Sequence, residues 1–182
     1  MPKKSAAVVQ GIGLLVIGGL VGYWGGQAGS RAALARPPVL PASVTSVQRG
    51  AQLVALGGCD DCHTPLDAQG KPDMNRRLSG YPADATLPPA VDGTMTMVNA
   101  AFRGSWGLSE ARNLTPDPDT GIGRWTLADF IKTMRTGVDP AGHALLPPMP
   151  LDNLRSLPDA DLEAMYNYLR TVSPVRNAVT GP

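Results

Sequence analysis

The sequence predicts an all-α fold carrying a long loop or hairpin insertion and preceded by one N-terminal transmembrane helix. Three observations carry this expectation. Residues 5–30 hold no charged side chain. Three later segments repeat apolar residues at helical spacing and stop at glycine or proline. Between the first and second of these, residues 67–113 are irregular and rich in turn formers, in a chain with 21 glycines and 18 prolines.

The elements follow in order. Lys3 and Lys4 precede an uncharged run of roughly 25 residues, enough to cross a hydrocarbon core of about 30 Å as a helix. Tyr23 and Trp24 stand near its far end, where amphipathic rings favour the interface. Ala33-Leu34-Ala35 resembles a signal-peptide cleavage triplet, but the run exceeds the about 7–15 residues of a signal core, so a retained anchor over 1–30 is expected. Gly18, Gly22 and Gly26 fall on one helical face; such a stripe lets another helix approach closely, although glycine is common in membrane helices. Residues 31–43 form a stiff proline-rich linker, the main domain spans 44–177, and 178–182 is a tail.

Within that domain, 44–56 reads as a helix with Val47, Ala51, Val54 and Ala55 on its apolar face, ended by Gly57-Gly58. Residues 94–98 alternate like a strand, to be paired with the region around 102–106. Thr126 and Asp129 form a capping-box pattern for a helix over 127–136 that stops at Gly137. A last helix starts around 156–159 and runs to about 172, with Leu162, Met165, Tyr166 and Leu169 inward, before Pro174.

Charge narrows the function. The 16 basic residues, less Lys3, Lys4, Arg31 and Arg36, leave 12 against 15 acidic ones beyond Arg36, a net of −3. That is no nucleic-acid footprint. Two cysteines are too few for four-cysteine zinc or iron–sulfur sites, and a disulfide across so short a loop would add little stability.

Those cysteines stand in Cys59-Asp60-Asp61-Cys62-His63. Two thiols separated by two residues and followed at once by histidine suit attachment of one haem c: Cys59 and Cys62 form thioethers, and His63 meets the iron from the same face. Thioredoxin-like sites also use Cys-x-x-Cys, but the adjoining histidine and the lack of a βαβ pattern weigh against that use. For the second axial position, Met149 stands in Leu145-Leu146-Pro147-Pro148-Met149-Pro150, where prolines restrict the backbone around a long thioether. Met134 and Met165 read as core packing. Met74, Met95 and Met97 are further thioethers. His143 would give a bis-histidine site of lower potential, and between Gly142 and Ala144 it reads as a surface residue.

Together Cys59-x-x-Cys62-His63-Thr64-Pro65, Asn113-Leu114-Thr115-Pro116-Asp117 with Thr120-Gly121-Ile122-Gly123-Arg124-Trp125, Pro147-Pro148-Met149-Pro150, and a final Asp161-Leu162 to Tyr168-Leu169-Arg170 helix resemble the class I cytochrome c family. The likeness is to single-haem, membrane-anchored bacterial members. It implies a cytochrome c-like domain with His63 proximal, Met149 distal, and the first and last helices crossing behind the haem. The separation of 86 positions from His63 to Met149 marks the insertion. Trp125 and Arg124 suit donors to a haem propionate; core packing explains Trp125 equally, and solvation explains Arg124 better. A turn explains Asn113 and Asp117 better than a cation site does.

The resemblance implies an electron carrier rather than an enzyme. One electron would pass between donor and acceptor proteins within a respiratory or photosynthetic complex, a terminal oxidase or a periplasmic dehydrogenase. The haem domain would face the periplasm or cell exterior from a single-pass anchor in the cytoplasmic membrane, an orientation that Lys3 and Lys4 fit. Two other classes stay open: a five-coordinate peroxidase or gas sensor, should Met149 not ligate, and a subunit whose glycine-striped helix matters more than its haem.

Overall fold

The computed structural model describes residues 45–179. Helix α1 (Ser46–Leu56) starts at Thr45, whose hydroxyl accepts from the Gln48 N–H while the Gln48 side chain accepts from the Thr45 N–H. The helix lies where expected, but its inner face is Gly50 and Val54, and Val47 is exposed. The cause is α5 (Asp159–Leu169), which crosses α1 so closely that a Cβ on Gly50 would stand 1.9 Å from the Ala164 carbonyl oxygen. Arg49 forks onto the Asp161 carboxylate beside the crossing, both bonds at 2.9 Å. Leu162, Met165 and Leu169 of α5 are buried as the sequence predicts, and Ala164 is buried with them.

Helix α2 (Cys59–His63) follows at once from Gly58, whose φ of 63° glycine tolerates without strain. A turn of 3-10 helix (Met74–Arg76) interrupts the next loop. Strands β1 (Thr96–Val98), β2 (Ala101–Gly104) and β3 (Gly107–Glu110) then form an antiparallel sheet in that order. Met97 pairs with Phe102, and Phe102 with Ser109, so these three share one face. Helix α3 (Leu127–Thr136) has the predicted reciprocal cap of Thr126 with Asp129 and ends at Gly137, in left-handed conformation. A short α4 (Leu151–Arg155) separates Met149 from α5. The main core gathers Val54, Leu78, Ile122, Phe130, Met134, Leu162, Met165 and Leu169.

Two parts of the expected fold class are corrected. The domain is not all-α: five helices accompany a three-stranded sheet. The hairpin of β1 and β2 was legible, but Trp106 lies in the turn to β3, and β3 itself lacks apolar alternation because its buried residue is Ser109. The transmembrane helix is the other correction. Among the described residues no helix is long and apolar enough to cross a membrane. The longest have 11 residues, about 16 Å at 1.5 Å per residue, roughly half a bilayer core. Residues 1–30 and the linker over 31–43 lie outside the described residues.

Candidate functional site

Helix α2 is gripped by the segment that follows the 3-10 turn. Arg77 forks onto Asp60 at 2.7 and 2.6 Å and also donates to the Tyr168 hydroxyl of α5 at 2.6 Å. Thr64 donates to the same carboxylate at 2.9 Å and accepts from the Leu78 N–H at 3.0 Å. Two residues on, the Gly80 N–H meets the His63 carbonyl at 2.7 Å. Leu78 and Gly80, with φ of 60° and 80°, turn the chain tightly enough to place these donors.

His63 is buried, 7% exposed, and its Nδ1 donates to the Arg112 carbonyl at 2.7 Å. A carbonyl can only accept, so this bond puts the proton on Nδ1 and leaves the lone pair on Nε2. Burial holds the imidazole below its ordinary pKa, which keeps it neutral and able to ligate. Burial, with Asp60 beside it, pushes the Cys59 thiol up to about 11; burial also raises Cys62.

Cys62 and His63 line a half-open cavity of about 310 Å³ together with Ile122, Trp125, Phe130, Met134 and Met149. Cys59, one turn earlier, packs against the adjoining core. This donor set fits a covalently held haem. Two adjacent thiols suit the two thioethers, one imidazole lone pair and one thioether suit the two axial positions, and the remaining walls are mostly apolar.

The Met149 loop is secured at three points. The Leu145 N–H donates to the Gly137 carbonyl at the end of α3 at 2.8 Å. Buried Ser109 of β3 donates its hydroxyl proton to the Pro147 carbonyl at 2.6 Å. Beyond the loop, two arginines cap each other's helices: Arg155 donates to the Arg135 and Thr136 carbonyls at 3.0 and 3.1 Å, and Arg135 to those of Arg155 and Leu157.

Of the residues singled out from sequence, Cys62, His63, Trp125 and Met149 share the cavity. Arg124 does not: its side chain is 76% exposed and pairs with Asp119 at 3.0 Å. His143 lines the cavity, with Nδ1 3.1 Å from the Asp139 carboxylate. Met74, Met95 and Met97 are exposed, Met165 is core, and Met134 is both core and cavity wall. Asp117 makes the expected turn, accepting from the N–H groups of Asp119 and Thr120, and Asn113 ties it to the Val175 carbonyl at 2.7 Å. Arg112, Ser109 and the Asp60–Arg77 clamp had no signal in the sequence, because they act through a backbone carbonyl or across long separations.

A model of the cytochrome c family matches residues 47–173, and the chain belongs to that family. It is therefore an electron-transfer protein whose family holds haem c covalently. The chain is 35% identical over 171 residues to one of the subunits of nicotinate dehydrogenase from Pseudomonas putida, covering 87% of this chain and 12% of that protein. It is 31% identical over 144 residues to the cytochrome c subunit of a quinone alcohol dehydrogenase from Gluconacetobacter polyoxogenes, covering 79% and 25%. With a diheme c-type cytochrome of Cereibacter sphaeroides it shares 28% over 173 residues, 92% and 49% of the two chains. The chain thus spans no more than about half the length of these relatives.

Proposed function

We propose that this chain carries a single haem c between Cys59 and Cys62, with His63 and Met149 as axial ligands, and passes one electron at a time from a dehydrogenase subunit to an acceptor on the outer face of the cytoplasmic membrane. The observation that carries this reading is the meeting of Cys62, His63 and Met149 in one mostly apolar cavity. The haem supplies a one-electron Fe(III)/Fe(II) couple, and a thioether ligand in apolar surroundings favours its reduced form. The chain's own residues do the rest. Arg112 fixes the His63 tautomer, the Arg77–Asp60 pair holds α2 against α5, and the proline-framed loop presents Met149. His63 and Met149 together would hold the iron and keep exogenous ligands from it, and the cavity's open side would face the redox partner. The relatives that bear dehydrogenase names support a dehydrogenase as the donor, and the sequence's one Cys-x-x-Cys-His supports one haem.

The test is direct. Expressed with a haem-attachment apparatus, the protein should bind one covalent haem per chain and show the red methionine–iron charge-transfer band in its ferric state. Met149→Ala should abolish that band and leave haem attachment intact. A wild-type protein without the band, or with a haem count other than one, refutes the assignment.

A further inference from the structure

The inserted sheet touches the Met149 loop at one polar contact. Ser109, 8% exposed as a residue, bonds the Pro147 carbonyl through its hydroxyl at 2.6 Å, and the Trp106 indole N–H lies 3.4 Å from that hydroxyl. The loop has few other restraints over this stretch. Pro147, Pro148 and Pro150 offer no N–H, and the Met149 N–H turns back to the Leu146 carbonyl at 3.2 Å. Ser109 sits on the sheet face it shares with Phe102, and both line the cavity. A buried polar residue in place of an apolar one on that face needs a purpose, since leaving a hydroxyl unpaired there is costly and an alanine would pack without it.

Resting on the reading of Met149 as distal ligand, we propose that Ser109 is a positioning residue for that ligand: its bond to Pro147 locks the proline loop so that the thioether stays on the iron. Ser109 touches neither iron nor substrate and acts only through the loop. Without the bond, the loop and its methionine yield more readily to a competing ligand.

Imidazole binding to the ferric, haem-loaded full chain measures this. Ser109→Ala should bind imidazole about fivefold more tightly than wild type, the factor expected for one ordinary hydrogen bond lost from the closed loop. Ser109→Thr, which keeps the hydroxyl, should restore the wild-type value. Ala55→Gly weakens α1 on its exposed face and should leave imidazole affinity unchanged. Should Ser109→Ala fail to load haem, Ser109→Cys, with its poorer donor, should show the same rise. Wild-type affinity in Ser109→Ala or Ser109→Cys, or an equal rise in Ala55→Gly, overturns the proposal. Failure of the underlying ligand assignment is separate and visible first: wild type would then lack the methionine–iron band before any substitution at 109.

Discussion

Replacing Gly50 by alanine tests the tightest contact in the fold. The added methyl would lie 1.9 Å from the Ala164 oxygen, 2.5 Å from its carbonyl carbon and 2.7 Å from the Tyr168 Cβ. Ordinary contact begins near 3.4 Å, so α1 and α5 must part by more than an ångström. The obstacle is backbone, which no rotamer change relieves. The Arg49–Asp161 fork at 2.9 Å holds the helices together against that movement. Overpacking costs about 1–3 kcal/mol, and the upper end applies where backbone is struck. Alanine recovers about 1 kcal/mol of helix propensity, leaving a net loss of about 2 kcal/mol. For a domain of this size that corresponds to a Tm lower by roughly 8 °C. Urea unfolding of the haem-loaded protein, followed by far-ultraviolet circular dichroism, reads the difference. Ala55→Gly on the exposed face of α1 controls for propensity alone and should cost about 1 kcal/mol. A Gly50→Ala protein as stable as wild type would refute the close crossing.

Other substitutions probe the clamp and the segment that follows α5. Arg77→Met strands the Asp60 carboxylate and removes a donor from Tyr168; it should cost about 2 kcal/mol in the same urea assay, and Asp60→Asn in the Arg77→Met background should recover part of the loss. Asn177 donates to the carbonyls of Ser79 and Tyr81 at 2.7 and 2.8 Å, so Asn177→Ala should cost about 2 kcal/mol and open residues 173–179 to limited proteolysis. Protons act through Asp161. The hydrogen bonds and charge of the Arg49 guanidinium hold its folded-state carboxyl below the ordinary value of about 3.9, so beneath that pH the unfolded chain binds a proton that the folded one refuses. The stability this pair contributes should be complete above about pH 5 and decline as the pH falls through about 4 and below; equal urea midpoints at about pH 7 and 3.5 would contradict this.

What could be read from the sequence was what short stretches determine. Thr126, Asp129 and Gly137 bracket α3 by local hydrogen bonds and a local backbone preference, and the helix lies between them as predicted. The Cys59–His63 motif and the proline frame of Met149 are similarly local. The inner face of α1 was misread because its central residue is glycine: at position 50 close approach of another backbone counts for more than hydrophobicity, and a pattern of apolar spacing registers only a gap. Strand β3 was missed for a related reason, its buried position being Ser109. Arg112 holds His63 by a carbonyl that any residue would supply, so its side chain carries no sign of the role. The reach of Arg77 across 91 positions to Tyr168 depends on the finished fold.

The stretch from Ser109 to Arg112 has a consequence for how the domain tolerates change. At one end a hydroxyl holds the methionine loop; three residues later a carbonyl holds the histidine. The segment works as the frame of a caliper whose jaws are the His63 and Met149 side chains. Sliding that strand by one register position would disturb both jaws together, so strengthening one at the expense of the other requires changes beyond the frame. The insertion is therefore a poor place for deletions and a good one for graded tuning, since small displacements there adjust the whole span while leaving α2 and the crossed helices untouched.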